Sequence, residues 1–236
     1  MVGDSENDEN ILSADYKKII ELINTSGVKF LIHVGDFTNR GEKMEYDKFK
    51  NYMETSLTIP YNMVVGNHDI IQDPSNKTLF KEYYGNPFRS FDDAGTHFVL
   101  LDNANPQIGF SEEELAWLRF DLEQNKDKKI FLFFHRPIDV PYVQYFSIPA
   151  EESVEAQQRN EEFKKIINDY PIEEIYTGHL HSYFSYTLIN KIPLTITGGG
   201  GSTPNLSFLD NARSFIHFIK TEVNGQGHYN EIVEIN

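Results

Sequence analysis

Four stretches of the chain are almost continuously apolar, and each ends in a polar or glycine-containing turn. They cover residues 28–34, 59–65, 96–102 and 129–134. Strands that are covered on both faces have such runs, which are typical of parallel sheets packed between helices. A shorter run, residues 174–177, ends at Gly178 in the same way. The pattern therefore predicts five strands, most of them in a parallel sheet.

The segments between these runs repeat apolar residues at helical spacing. Helices are predicted around residues 16–23 with Ser13 as N-cap, over 42–56 and 79–84, from a capping box at Ser111 and Glu114 onwards, and through 154–167. Beyond residue 182 the pattern changes to strands separated by turns. These predicted strands, which usually pair antiparallel, are 183–189, 192–197, 213–220 and 227–235. Alternating strands and helices followed by a meander predict an α/β (α+β) fold.

Composition narrows the class of protein and the kind of partner. The 236 residues, 39% of them hydrophobic, fit one domain over residues 1–236 with a substantial core. A formal charge of -15 disfavours bulk nucleic acid and anionic membranes, so a small anionic substrate would need local positive charge, most simply from metal ions. No cysteine is present, which excludes disulfides and thiolate zinc sites. No apolar run approaches the roughly 20 residues of a membrane span. We expect a cytoplasmic protein and leave a removed leader peptide open.

Candidate metal ligands lie at successive predicted strand ends. In open parallel sheets ligands bind at the carboxyl ends of the strands. Taken singly, each candidate has an ordinary alternative as a turn, loop or hydrogen-bonding residue. Together they form the mixed carboxylate, amide and imidazole set that suits Mn²⁺, Fe²⁺ or Zn²⁺. The candidates are Asp4, Asp36, Asn67, His135, His179 and His181.

These residues lie in ordered motifs: Gly35-Asp36, the Gly-Asn-His-Asp turn at 66–69, His135 after an apolar strand, and Gly-His-Leu-His at 178–181. This order of motifs resembles the calcineurin-like metallophosphoesterase superfamily. The glycine run at 198–201 is similar to the subgroup related to purple acid phosphatases. The resemblance implies a four-layer αββα sandwich, metallo-dependent phosphatase-like, with two divalent metal ions bridged by Asp36. Asp4 and His181 would complete one metal position, and Asn67, His135 and His179 the other.

The chain departs from the family pattern in two motifs. The family's first motif is Asp-x-His, whereas this chain has Asp4-Ser5-Glu6, so that Glu6 stands where the histidine would be. A carboxylate can still ligate, or the position can rely on Asp4 and His181 alone. The strand that would deliver this motif is very short, which indicates either truncation or a differently built edge. In the second departure, Asn39-Arg40-Gly41 replaces Asp-Arg-Gly, which argues against the protein-phosphatase branch.

The resemblance implies hydrolysis of a small phosphorylated substrate, a phosphomonoester or a phosphodiester, by a metal-activated hydroxide. His68 would protonate the leaving oxygen or stabilise the charge that develops there, while Asp69 would either orient His68 or cap the turn. A non-catalytic scaffold with a degraded first metal position is the alternative, and a nuclease is disfavoured by the negative charge.

Residues outside the motifs receive simpler interpretations. Arg136 either contacts phosphate or forms a surface ion pair, and Trp117 packs in the core. Tyr142 and Tyr145 would line the substrate pocket. The remaining histidines considered are predicted to be structural: His33, His97, His217 and His228.

Overall fold

The computed structural model describes residues 1–6, 12–141, 152–202 and 215–235. Tyr142 and Tyr145 lie outside the described residues. The helices are α1 (Ala14–Thr25), α2 (Lys43–Ser56), α3 (Thr78–Tyr84), α4 (Glu112–Asn125) and α5 (Val154–Ile167). The strands are β1 (Leu31–His33), β2 (Tyr61–Met63), β3 (Arg89–Asp93), β4 (Thr96–Leu100), β5 (Lys129–Phe133), β6 (Ile172–Thr177), β7 (Tyr183–Thr187), β8 (Pro193–Thr197), β9 (His217–Asn224) and β10 (Gly227–Glu234).

Within the described ranges, six strands form one mixed sheet in the order β3-β4-β5-β6-β8-β7, with β4, β5, β6 and β8 parallel. A second group contains the parallel pair β1-β2 and the antiparallel hairpin β9-β10. Met1 and Val2 connect these two pairs. Val2 bridges His33 of β1, and the amide of Ile219 in β9 donates to the carbonyl oxygen of Met1 at 2.8 Å. The second sheet therefore reads β2-β1-(Met1–Val2)-β9-β10.

Alternation of side chains along the strands creates three separate cores. In β5, Ile130 and Leu132 pack with helices α4 and α5, whereas Phe131 and Phe133 face the other sheet. In β1, Leu31 packs with helices α1 and α2, while its neighbour Ile32 joins the core between the sheets. In the described part of the chain, three cores between four layers make the fold a four-layer αββα sandwich, as the family resemblance implies.

Two features of the sheets differ from the sequence prediction. Strand β8 lies between β6 and β7 and pairs parallel to β6, so the expected meander is wrong at this point. The short helical turn Ile189–Lys191 reverses the chain, which places β8 beside β6 and leaves β7 at the edge. Strand β3 was not predicted because it has one apolar residue among five; the left-handed pair Ala94 and Gly95 turns it into β4.

The predicted caps are present where helices begin. The Ser13 hydroxyl accepts from the amide of Tyr16 at 3.0 Å, and Ser111 and Glu114 form the predicted reciprocal capping box. Trp117 packs against the core under α4, as predicted. Among the described residues, no helix combines the length and apolar character that crossing a membrane requires.

A cavity of about 720 Å³ lies between the two sheets at the amino ends of β4 and β5. Aromatic side chains, Phe30, Phe98 and Phe131 among them, line part of its wall together with aliphatic, polar and charged residues. The candidate metal ligands follow the opposite, carboxyl ends of the strands. This cavity is therefore separate from the candidate site.

Candidate metal centre

The carboxyl ends of the central strands bring the predicted site residues together. Asp36 follows β1, Asn67 follows β2, His135 follows β5 and His179 follows β6. Among the residues that the structure describes, three groups of side chains offer donor atoms that lie within 4.8 Å of one another. The groups are Asp36, His135 and His179; Asp4, Glu6 and His181; and Glu6, Asp36 and His68.

One side of the site combines a carboxylate, an amide oxygen and two imidazoles. Nε2 of His135 lies 2.9 Å from Oδ2 of Asp36 and 3.0 Å from Oδ1 of Asn67. The same Asn67 oxygen lies 2.8 Å from Nδ1 of His179. Nδ1 of His135 lies 2.8 Å from the Val34 carbonyl oxygen, which fixes the proton there and leaves Nε2 as the donor toward a metal. The geometry therefore presents one converging set of ligand atoms.

The other side contains Asp4, Glu6 and His181. Nε2 of His181 lies 3.2 Å from Oε1 of Glu6 and 3.7 Å from Oδ1 of Asp4. Asp36 shares one donor group with Glu6 and another with His135, so its carboxylate lies between the two sides. This placement is the one that a bridging ligand requires, and the ligand roles themselves stay predictions.

Close backbone approach builds these positions. An added Cβ at Gly66 would stand 2.1 Å from Oδ1 of Asp36, and one at Gly178 would stand 2.5 Å from Oδ2 of Asp4. Asp4, Asp36 and His179 all have left-handed backbone, with φ of 59°, 53° and 69°. Such strain in non-glycine residues concentrates at functional sites.

Asp69 caps the turn and does not orient His68. Its carboxylate accepts five hydrogen bonds, from the amides of Asp36, Phe37, Thr38 and Gly66 and from the Thr38 hydroxyl, at 2.8–3.0 Å. The orienting hypothesis is wrong, because Nδ1 of His68 lies 2.8 Å from the Asn39 carbonyl oxygen instead. Burial and the charge of Asp36 raise the pKa of Asp69 to about 7, against the opposing effect of its amide donors.

The Asn39 carbonyl sets the protonation geometry of His68. With a proton on Nδ1 donated to this carbonyl, Nε2 is the ring nitrogen left to exchange a proton. Burial lowers the pKa of His68, but Asp36 and the Asn39 bond outweigh it and the net shift is upward. Nothing in the sequence around Asn39 marks this role, because a carbonyl acceptor has no side-chain signature.

The charges of the site are not balanced within the protein. Burial, together with Glu6 and Asp36, raises the pKa of Asp4 well above its usual range, with His135 opposing. Burial also raises the pKa of Glu6. Burial by itself would raise the pKa of Asp36, but the neighbouring His135 lowers it overall. The pKa of His135 rises to about 9, because the charge and hydrogen bond of Asp36 outweigh the burial of His135.

The donor set fits divalent cations. The carboxylates of Asp4, Glu6 and Asp36 lie close together and are buried. Glu6 is only 5% exposed, yet its Oε2 has no hydrogen-bond partner among the described residues. A buried carboxylate oxygen without a hydrogen-bond partner is costly, and a cation would remove that cost. The pattern of carboxylate, amide and imidazole donors is that of Mn²⁺, Fe²⁺ or Zn²⁺.

Arg136 and His33 are both buried close to the candidate metal centre. Arg136 is 1% exposed, and its Nη2 lies 4.0 Å from Oε1 of Glu152, so the predicted ion pair is present but is buried and not at the surface. Its Nη1 lies 3.5 Å from Nε2 of His179. Burial, His135 and Arg136 hold the pKa of His179 well below its usual range. His33 is buried beside the Ser5 hydroxyl at 3.0 Å, and burial lowers its pKa to about 3.

Ser202 is a supporting residue that sequence reasoning missed. Its hydroxyl lies 2.8 Å from the carbonyl oxygens of both Asp4 and Glu6, and its amide donates to Asp4 as well. It directly follows the glycine run at 198–201, which was the available signal. Gly200 likewise donates its amide to the Gly3 carbonyl at 2.8 Å, so this loop fastens the first ligand segment.

Fold and site together define a metallophosphoesterase, a hydrolase that acts on phosphate esters. A family model described as calcineurin-like phosphoesterase matches residues 10–183, and the chain belongs to this family. It is 28% identical over 212 residues to a probable glycerophosphodiester phosphodiesterase, GpdQ, of Arcobacter nitrofigilis, covering 84% of this chain and 72% of the relative.

Two further similarities have narrower scope. Purple acid phosphatase 21 of Arabidopsis thaliana is 27% identical over 187 residues, covering 69% of this chain; the match spans only 41% of the plant protein. The solved structure of GAP50, described as the anchor in the inner membrane complex of Plasmodium, superposes with a TM-score of 0.73 at 16% identity. It covers 99% of this chain and 82% of that one. At this identity the likeness shows the fold alone.

Proposed function

We propose that the chain is a metal-dependent phosphohydrolase that cleaves a small phosphodiester, with a phosphomonoester as the alternative substrate. The observation that carries the proposal is the convergence of two donor groups on Asp36, with His68 beside them. The diester is favoured because the match extends over 72% of a relative named as a phosphodiesterase but over 41% of one named as a phosphatase.

The residues divide into metal-holding and proton-transferring groups. Asp4, Glu6 and His181 would hold one cation, Asn67, His135 and His179 the other, and Asp36 both. Bound cations would supply positive charge to the phosphoryl oxygens and acidify the attacking water. His135 is held for this role by Val34, whose carbonyl keeps the proton on the opposite ring nitrogen.

His68 supplies the proton that the leaving group needs. When water attacks phosphorus, the ester oxygen leaves with the electron pair of the broken P–O bond and must be protonated. His68 carries its transferable proton on Nε2, because Nδ1 is engaged by the Asn39 carbonyl at 2.8 Å. General acid catalysis of this kind contributes roughly 10²–10⁴-fold.

The test compares two leaving groups in native protein and in His68→Ala. Metal-stripped protein is reconstituted with Mn²⁺, and hydrolysis of bis-p-nitrophenyl phosphate, p-nitrophenyl phosphate and diphenyl phosphate is measured. We expect turnover of the diesters to exceed that of the monoester. The variant should lose more activity on diphenyl phosphate than on the p-nitrophenyl diester, because phenol is the poorer leaving group.

His228→Ala is the matched control, because His228 lies on β10 and bonds to Glu174 at 2.6 Å, outside the site. It should retain native turnover. Equal losses on both diesters in His68→Ala would contradict the proton-donating role. No turnover by native protein with both metal positions filled would support the non-catalytic scaffold instead.

A further inference from the structure

Glu6 lies among the candidate donors of the site, at the position where the family pattern has a histidine. Its Oε1 lies 3.2 Å from Nε2 of His181, and its side chain is 6% exposed. Its other oxygen, Oε2, is buried without a hydrogen-bond partner among the described residues. A carboxylate oxygen that is buried and unpaired beside other metal-type donors is the feature that a cation would satisfy.

The two sides of the site offer chemically different donors. The side of Asp4, Glu6 and His181, with Asp36 shared, has three carboxylates and one imidazole. The opposite side, again sharing Asp36, has two imidazoles and the amide oxygen of Asn67. Carboxylate oxygens suit hard cations such as Mn²⁺ and Mg²⁺, whereas imidazoles favour Zn²⁺ and Fe²⁺.

We propose that Glu6 is a metal ligand and that it makes its side of the centre a hard, Mn²⁺-preferring position next to a softer, imidazole-rich one. This inference rests on the proposed function, since it assigns the metals of the same site. Histidine at position 6 would instead give two positions of similar softness.

The first ligand segment is held firmly enough to present Glu6. The amides of Ser5 and Glu6 donate to the Asp36 carbonyl at 2.9 and 3.2 Å, and the Ser202 hydroxyl lies 2.8 Å from the Glu6 carbonyl oxygen. The backbone of Glu6 is therefore fixed from one side by the turn that carries Asp36 and from the other by the glycine loop that ends at Ser202. Glu6 also shares a donor group with Asp36 and His68, which places its carboxylate toward the middle of the site.

The experiment measures metal binding directly, without turnover. Metal-stripped native protein, Glu6→Gln, Glu6→His and the control Glu113→Gln are titrated with Mn²⁺, and free Mn²⁺ is followed by its electron paramagnetic resonance signal. Zn²⁺ competition then gives the preference of each position. Glu113 lies exposed on α4, so its variant removes the same charge away from the site.

We expect native protein to bind two Mn²⁺ ions. Glu6→Gln should lose at least tenfold in affinity at one position and leave the other within threefold. Glu6→His should shift the Zn²⁺ over Mn²⁺ preference of that same position at least tenfold toward Zn²⁺. Glu113→Gln should behave as native. Unchanged Mn²⁺ affinities in Glu6→Gln, or an unchanged preference in Glu6→His, would overturn the proposal.

Thermal unfolding of the same proteins in chelator separates a ligand role from a folding role. Because Glu6 adds a buried charge to Asp4 and Asp36, Glu6→Gln should unfold at an equal or higher temperature than native when metal-free. It should gain less from added Mn²⁺. If Glu6→Gln melts at a lower temperature than native protein in chelator, but Mn²⁺ raises the melting temperature of both by the same amount, Glu6 has a structural role and is not a ligand. Hydrolysis is scored separately, so two bound metals with no turnover would reject the proposed function and leave the role of Glu6 standing.

Discussion

Replacing Asp69 by Asn should destabilise the fold because the carboxylate caps several backbone amides. Oδ1 accepts from Phe37 and Thr38, while Oδ2 accepts from the amides of Asp36 and Gly66 at 3.0 and 2.8 Å. An asparagine can keep an oxygen at the first position, but its NH₂ then faces the two amides at the second. Those two amides lose their acceptor in a buried place.

The expected magnitude follows from these two amides. A buried donor without a partner costs about 1–3 kcal/mol, so the two together cost about 2–6 kcal/mol. Removing a buried charge offsets part of this, since burial is the main reason that the pKa of Asp69 rises to about 7. We expect a net loss of about 2–4 kcal/mol in the free energy of unfolding.

Urea unfolding in chelator measures the loss without the contribution of bound metal. Asp73→Asn is the control: Asp73 also caps local groups, accepting from Asn76 and Thr78, but at the surface. Water can replace its bonds, so a far smaller change is expected. An unfolding free energy within about 1 kcal/mol of native for Asp69→Asn would refute the capping argument, since that is less than one orphaned donor costs.

Three further changes test other parts of the structure. Gly66→Ala should lower the free energy of unfolding by about 3 kcal/mol and prevent metal binding, because its Cβ would stand 2.1 Å from Oδ1 of Asp36. The control Gly225→Ala, where a Cβ would meet open space, should have neither effect. Urea unfolding and metal titration measure the two effects. Ser202→Ala should cost about 1 kcal/mol and weaken only the metal position of the first ligand segment, as Mn²⁺ titration would show. The pKa of His97 is raised, because its hydrogen bonds to Asp92 and Asp121 outweigh its burial. The contribution of His97 to the stability of the fold is therefore complete below about pH 6.5 and is lost as the pH rises through its folded-state pKa. The stability difference between native protein and His97→Gln should therefore shrink between pH 5.5 and pH 9, and a constant difference would contradict this reasoning.

The sequence predicted which candidate residues come together better than it predicted the order of the strands, and the roles of these residues stay predictions. Ligand candidates could be found because the parallel strands of both sheets end at the same end of the sandwich. Asp36 and Asn67 follow strands of one sheet and His135 follows a strand of the other, so they meet there whatever the order of the strands. The place of β8 between β6 and β7 depends on contacts between distant residues, which local patterns do not contain. The expectation of one domain over residues 1–236 stays a prediction.

The roles of supporting residues were harder to predict for a different reason. Asp69 follows His68 in sequence, which suggests a pair, but the turn directs the aspartate back to the amides of residues 36–38. Asn39 acts through its carbonyl oxygen, and every residue has one. Arg136 lies beside a predicted ligand yet is buried against His179. Only the three-dimensional path of the backbone distinguishes these cases.

The ligand carboxylates also hold the turns that present the other ligands. The Asp4 carboxylate accepts from the amide of His179 at 2.8 and 3.0 Å, and Oδ1 of Asp36 accepts from the amide of His68 at 2.8 Å. Since Asp4, Asp36 and His179 have left-handed backbone, which costs of order 1–3 kcal/mol each, these bonds help to keep the strained turns in place. Removing either carboxylate would therefore disturb a metal position and a neighbouring turn together. Asp4→Asn removes the charge of the metal ligand but keeps one oxygen that can accept from the His179 amide, so it should weaken metal binding and leave the turn in place. Asp4→Ala removes the ligand and the acceptor together and does not separate the two effects.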